Sequence, residues 1–157
     1  MIEIVPYEPK YQAGINSMMQ EIAKEFTEPI MGGRKSNSAV FPDKYWVATF
    51  NGQVIGTIAL IIKHEYGILK KMMLKKEFRG ATHNVAKQLL QTTIDESAKD
   101  QLEYIYLGTM TQFKAAQSFY CKHGFEQISE KELPSDFLRN PIDTLFYELS
   151  LKLVSKA

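Results

Sequence analysis

Apolar positions along the chain change spacing several times, and each change marks an element. Ile2, Ile4 and Val5 set a short first strand, ended by Pro6 and Pro9. Ile15, Met18, Met19, Ile22, Ala23 and Phe26 then recur at intervals that fit one face of an amphipathic helix. The stretch from Thr27 to Lys44 is interrupted by Pro29, Gly32, Gly33 and Pro42 and reads as irregular. Tyr45 to Phe50 and Val54 to Ile62 flank Asn51-Gly52, a dipeptide suited to a two-residue hairpin turn because both positions accept positive φ. The second arm is apolar almost throughout, which predicts a central strand buried on both faces.

Ile68 to Leu74 and Tyr104 to Leu107 read as further strands. Between them Val85, Ala86, Leu89, Leu90, Ile94 and Ala98 predict a helix of about four turns. Phe113, Ala116, Phe119 and Tyr120 predict a shorter one, with Gly124 placed to end it. Phe125 to Ile128 and Thr144 to Leu151 complete the strands. The 129–143 connection between them holds Pro134 and Pro141 and is long for a compact domain, a length that often goes with function. The order β-α-β-β-β-α-β-α-β-β predicts an α/β fold, a mixed sheet with helices on both faces.

Composition narrows the field without naming a function. The chain has 157 residues, the size of one domain spanning 1–157. Its 19 Lys and Arg against 18 Asp and Glu give +1, which disfavours a dedicated nucleic-acid binder. The single cysteine, Cys121, excludes an intrachain disulfide and reads as a small buried filler. The start Met-Ile-Glu-Ile-Val lacks a basic segment followed by an apolar one, and the run Ile58 to Ile62 is too short to span a bilayer. A cytoplasmic protein with no membrane partner is the expectation. His64-Glu65 opens like a zinc-protease helix, but Ile68 stands where the second His belongs, so no metal is expected. In Gly32-Gly33-Arg34-Lys35-Ser36 the phosphate-loop order is broken at Arg34. Neither a nucleophile elbow nor a dinucleotide fingerprint occurs.

Position reveals what the sum hides. Residues 70–79 hold five bases (Lys70, Lys71, Lys75, Lys76, Arg79) and one acid, Glu77. They lie where a strand passes through a loop onto a helix start, whose free N–H groups and positive dipole end form a ready anion site.

Met72-Met73-Leu74, then Arg79-Gly80 and Val85-Ala86-x-x-Leu89-Leu90, resembles the acetyl-CoA-binding motif of the GNAT N-acetyltransferase family. Tyr106-Leu107-Gly108-Thr109 and Ala116-Gln-Ser-Phe119-Tyr120-Cys-Lys-His-Gly124-Phe125 are similar to that family's next strand and helix. The resemblance implies a mostly antiparallel central sheet of about seven strands, with one strand splayed from its neighbour and coenzyme A held in the gap. It implies cofactor contacts at Met72, Met73, Leu74, Arg79, Gly80, Ala81, Thr82, His83, Asn84, Val85 and Ala86. The loop departs from the family's Arg-Gly-x-Gly-x-Gly/Ala by being two residues longer and poorer in glycine, so Thr82, His83 and Asn84 must lend backbone. Phe113 stands where the family often has Asn, a contact left to Lys114.

The activity so implied is direct acetyl transfer from acetyl-CoA, as co-substrate, to a primary amine of a small molecule or peptide, by a monomer or homodimer. The resemblance places the oxyanion against a backbone N–H around Met73 or Leu74. It makes Tyr120 the partner of the leaving thiolate, by hydrogen bond or by protonation. Family members often carry Glu early in the splayed strand, where this chain has Ile68; Glu65 and His64 lie just upstream, and Glu65 is taken as the candidate base. Phe26 to Lys44 and Ser129 to Asp143 are the candidate substrate-recognition segments. Their Arg34, Lys35, Arg139, Glu130, Glu132 and Asp136 carry both signs and select no substrate charge. The alternative is a catalytically idle coenzyme-A-binding module on the same fold.

Overall fold

The hairpin at Asn51-Gly52 forms as its sequence demands, with φ of 50° and 83° at the two turn positions. It joins β2 (Lys44–Phe50) to β3 (Gln53–Lys63) in a computed structural model that describes residues 1–25, 41–80, 84–111, 113–137 and 143–151. β1 (Ile2–Pro6) and α1 (Gln12–Ala23) precede this hairpin. β4 (Tyr66–Leu74), α2 (Val85–Lys99), β5 (Tyr104–Thr109), α3 (Lys114–Lys122), β6 (Glu126–Ile128) and β7 (Leu145–Ser150) follow it. The seven strands form one sheet in the order β1-β2-β3-β4-β5-β7-β6. β4 and β5 pair in parallel; each of the other pairs is antiparallel.

β3 is buried without a break from Val54 to Ile61, so both its faces must be covered by helix or loop. On one face α2 and α3 pack Val85, Leu89, Leu90 and Tyr120 against Ile58, Leu60, Leu69, Leu74, Ile105 and Leu107. On the other, α1 sets Ile15, Met18 and Ile22 on Val47 and Val54. Each such side chain contributes roughly 2 kcal/mol on leaving water. Where α1 ends, the 129–143 connection takes over, laying Leu133 and Phe137 over Ile61, Tyr66, Ile68 and Tyr106. Part of that long loop is therefore a cover for the core. Cys121 differs from its expected role: it is exposed, because one residue beyond buried Tyr120 the helix has turned by about 100°.

The cover is pinned by Tyr66, whose hydroxyl donates to Asp136 Oδ1 at 2.6 Å, with His64 Nε2 3.8 Å from Asp136 Oδ2. The hydrogen bond holds the Asp136 carboxyl below its ordinary 3.8. Its stabilisation is complete above that ordinary value and is lost as pH falls through the depressed one. Tyr66→Phe is expected to lower the melting temperature by a few degrees at pH 7. The difference from the wild type should close as the pH is taken down through the depressed Asp136 titration, as read by thermal melts across pH.

Candidate active site

β4 and β5 part company soon after they meet. Their ladder comprises Tyr66, Gly67 and Ile68 opposite Tyr104, Ile105 and Tyr106. Beyond it β5 stays bonded to β7 as far as Thr109↔Leu145, while β4 runs on to Leu74 against β3. Among the described residues the β5-facing edge of Leu69 to Leu74 thus has no strand partner, and a fork opens in the sheet.

A bulge shapes β4 inside the fork. Thr57 pairs with Met73 and Ala59 with Lys70, so Ile58 faces two residues, Lys71 and Met72. Lys71 sits at φ 54°, a left-handed conformation that costs a side-chain-bearing residue about 1 kcal/mol or more. The Thr57 hydroxyl donates to the Lys71 carbonyl at 2.6 Å and holds it there. The extra residue also breaks the alternation of faces. Ile68 belongs to the face covered by α1 and the 129–143 connection, which places Lys70 on that face too. Lys71 joins it, with Nζ 6.0 Å from the Tyr45 ring. Burial pushes both lysines below the ordinary 10.5, Asp143 opposing the shift at Lys70 and Lys71 adding to it.

At the open end, β4 leads through a 3-10 turn (Lys76–Phe78) to Gly80 at φ 94° and on to α2. Asn84, at φ 52°, precedes the helix without a side-chain cap bond, so its side chain satisfies none of the first-turn N–H groups from Val85 onward. Ala81, Thr82 and His83 lie outside the described residues. The basic run divides by task. Arg79 forks onto Glu25 (2.6 and 3.0 Å) and donates from Nε to the Leu74 carbonyl (2.9 Å), tying α1 to the end of β4. Lys75 Nζ lies 3.7 Å from Glu21 Oε2. Lys76 is exposed beside the turn. Lys114, also exposed, opens α3, which Gln117 fastens to the end of β5 through the carbonyls of Met110 and Thr111 (2.9 and 3.1 Å).

Tyr120 lies on the α2/α3 face of the sheet. It is buried among Phe119, Phe125 and Tyr147. Burial first, and Asp143 second, push its hydroxyl well above the ordinary 10. Such a phenol keeps its proton at neutral pH and is able to donate a hydrogen bond. Asp143, only 6% exposed, lies on the opposite face of the sheet. A Cβ built on Gly108 would come 2.5 Å from Asp143 Oδ2, and Gly108 shares the face of Tyr106.

Glu65 and His64 are not brought to this place. They form the exposed β3–β4 turn at the closed end of the fork, where the Glu65 carbonyl accepts from Glu103 N. Six residues along the strand put Glu65 about 20 Å from Lys71. Of the recognition segments, Glu132 closes a capping box on Ser129 and Asp136 holds Tyr66, whereas Arg34, Lys35 and Arg139 lie outside the described residues. Sequence reasoning placed Asp143 only at a loop boundary. The signal that points to it is Gly108, since a glycine inside a strand marks close approach by another group.

Residues 42–127 match the family model described as Acetyltransferase (GNAT) domain. The chain is 30% identical over 136 residues to N-alpha-acetyltransferase 30 of Schizosaccharomyces pombe, covering 80% of this chain and 84% of that protein. Its structure is similar to that of a GNAT-family acetyltransferase from Staphylococcus aureus Mu50, at 30% identity and a TM-score of 0.80, covering 96% and 99% of the two chains. It also shares its fold with the PaiA N-acetyltransferase of Thermoplasma acidophilum, solved in complex with coenzyme A, at 16% identity and a TM-score of 0.71 over 96% and 99%. The forked seven-stranded sheet and these likenesses agree: the chain belongs to the GNAT acetyltransferase family.

Proposed function

We propose that the protein transfers an acetyl group from acetyl-CoA to a primary amine of a small molecule or a peptide, directly and without a covalent enzyme intermediate. The observation that carries this reading is the parting of β4 from β5, with Tyr120 on one face of the sheet there and Lys70 and Asp143 on the other. Direct transfer needs two substrates to meet at one point from different sides, and a fork is an arrangement that permits it.

The residues fit coenzyme A. The stretch of β4 beyond its ladder with β5 offers backbone groups to an extended amide-bearing chain, and the start of α2, without a side-chain cap, offers N–H groups to a pyrophosphate. Met72, Met73 and Leu74 with Gly80, Asn84, Val85 and Ala86 would hold it, Ala81, Thr82 and His83 completing the loop. Lys76 and Lys114 supply outer positive charge, and Arg79 braces the loop through Glu25 and Leu74. When bound, acetyl-CoA supplies the activated acyl group. The chain's part is to hold the reacting carbonyl against a β4 backbone N–H at Met73 or Leu74, a dipole already fixed by the bulge. Tyr120 donates a hydrogen bond that strengthens as charge gathers on sulfur. N-alpha-acetyltransferase 30 and PaiA N-acetyltransferase, by their names, act as acetyltransferases, which supports the reaction class. A second reading, an idle coenzyme-A-binding module, is favoured by Ile68 and the distant placement of Glu65.

Four experiments test this reading. Acetyl-CoA at millimolar concentration is expected to raise the melting temperature, and no shift overturns both readings. Tyr120→Phe is expected to lower kcat by about tenfold to a hundredfold, the worth of one charge-assisted hydrogen bond, with the KM for acetyl-CoA nearly unchanged. Equal thiol release by wild type and variant removes Tyr120 from the reaction, and none from the wild type with any amine favours the idle module. Arg79→Ala is expected to lower the melting temperature by about 2–4 °C, as loss of about 1 kcal/mol does at this size. Lys76→Ala instead leaves the melting temperature alone and weakens acetyl-CoA binding about twofold to threefold at low salt, less at high salt.

A further inference from the structure

We infer that Asp143 is the catalytic base of this site, the carboxylate that receives the acceptor as an ammonium and takes its first proton. The inference rests on the acetyl-transfer reading and adds the group which that reading leaves out.

Three observations converge on it. Asp143 is buried, and its carboxylate occupies the space that a side chain on Gly108 would fill, with Cβ-to-oxygen and Cβ-to-Cγ separations of 2.5 and 2.9 Å for an alanine there. β5 therefore carries glycine at the one position that lets a carboxylate lie flat on the strand beside the fork. Next, the carboxylate acts electrostatically on Lys70 of β4 and on the Tyr120 hydroxyl of α3. It thus lies over β5 at Gly108, within electrostatic reach of Lys70 on β4 and of Tyr120 across the sheet. Finally, the bulge turns Lys71 to the same face as Lys70, so the face that carries the carboxylate also carries two half-buried ammonium groups.

That charge pattern suits the removal of a proton. An acceptor arriving as an ammonium is drawn in by Asp143, while Lys70, being a like charge, disfavours its protonated form. Among the groups that face the carboxylate are Lys70 from β4 and the neutral Tyr120 from α3, and β5 contributes the backbone of Gly108.

The step balances. One proton passes from the ammonium nitrogen to an Asp143 oxygen and later to water. The freed nitrogen lone pair forms the C–N bond at the thioester carbon, the C–S bond breaks, and its electron pair leaves with sulfur. The nitrogen's second proton goes to that sulfur, which Tyr120 meanwhile steadies with a hydrogen bond. The products are an amide and a thiol, with nothing oxidised or reduced.

The test follows thiol release from saturating acetyl-CoA by the full chain, with spermidine, L-lysine and a short peptide bearing a free α-amine as probes. Asp143→Asn is expected to lower kcat/KM for an accepted amine about a hundredfold at pH 7, with the KM for acetyl-CoA and its thermal shift unchanged. The deficit should shrink towards a few-fold as pH rises into the amine's own titration range, where the acceptor arrives neutral; a merely structural residue shows no such recovery. Gly108→Ala keeps the carboxylate in the chain but displaces it, and should give the same acceptor-side loss. A folded Asp143→Asn or Gly108→Ala protein with normal acceptor kinetics overturns the inference, as does a deficit that stays constant with pH. If the wild type binds acetyl-CoA yet releases no thiol with any probe, the transfer reading itself falls, and this one with it.

Discussion

Two strands of one sheet that separate must leave backbone groups without strand partners, and this parting of β4 from β5 governs the rest of the molecule. Beyond Ile68 and Tyr106 each strand keeps one neighbour, β3 for β4 and β7 for β5, which is enough to hold it extended. The edge of β4 that faces β5 is left for something else to bond. Without the fork, Tyr120 and Asp143 would be shut off on opposite faces of a continuous sheet. With it, a loop residue on one face acts electrostatically on a helix residue on the other.

The bulge at Lys71 is the local strain that goes with the fork. A left-handed lysine within a strand persists because the surroundings fix it: the Thr57 hydroxyl bonds its carbonyl, and regular pairing resumes at Met73 and again at Lys70. The gain is a change of phase. Met72 and Leu74 serve the α2 face, while Lys70 and Lys71 serve the other. One inserted residue thus puts two consecutive lysines on one face of β4 while Leu69, Met72 and Leu74 pack on the face of α2.

The basic run shows how position in space redefines charge that is adjacent in sequence. Five bases within ten residues read as one anion-binding patch. Folding sends Arg79 and Lys75 to Glu25 and Glu21 of the α1 region, Lys70 and Lys71 to the acceptor face, and leaves Lys76 at the exposed turn. Arg79 is the plainest example. Its guanidinium is engaged by a carboxylate from a segment 54 residues away, a distance no local motif spans.

Element type and order were legible in the sequence because they rest on short-range physics. The hairpin follows from the tolerance of Asn51 and Gly52 for positive φ, the burial of β3 from its unbroken apolar run, and the end of α3 from Gly124 at φ 96°. The family likeness was legible too, since Arg79-Gly80 and the Val85 to Leu90 pattern are contiguous. Asp143 was not legible, because its meaning comes from Gly108 and Lys70, residues brought beside it only when β5 and β7 pair and β4 diverges. Glu65 looked suitable from its closeness in sequence to the splayed strand. A strand rises about 3.3 Å per residue, however, and six residues carried it to the wrong end. The sequence by itself determined the elements, their order and the family, because propensity and periodicity act within a few residues. Only the tertiary structure decided which charged groups share the fork, because burial and electrostatic pairing depend on distance through space.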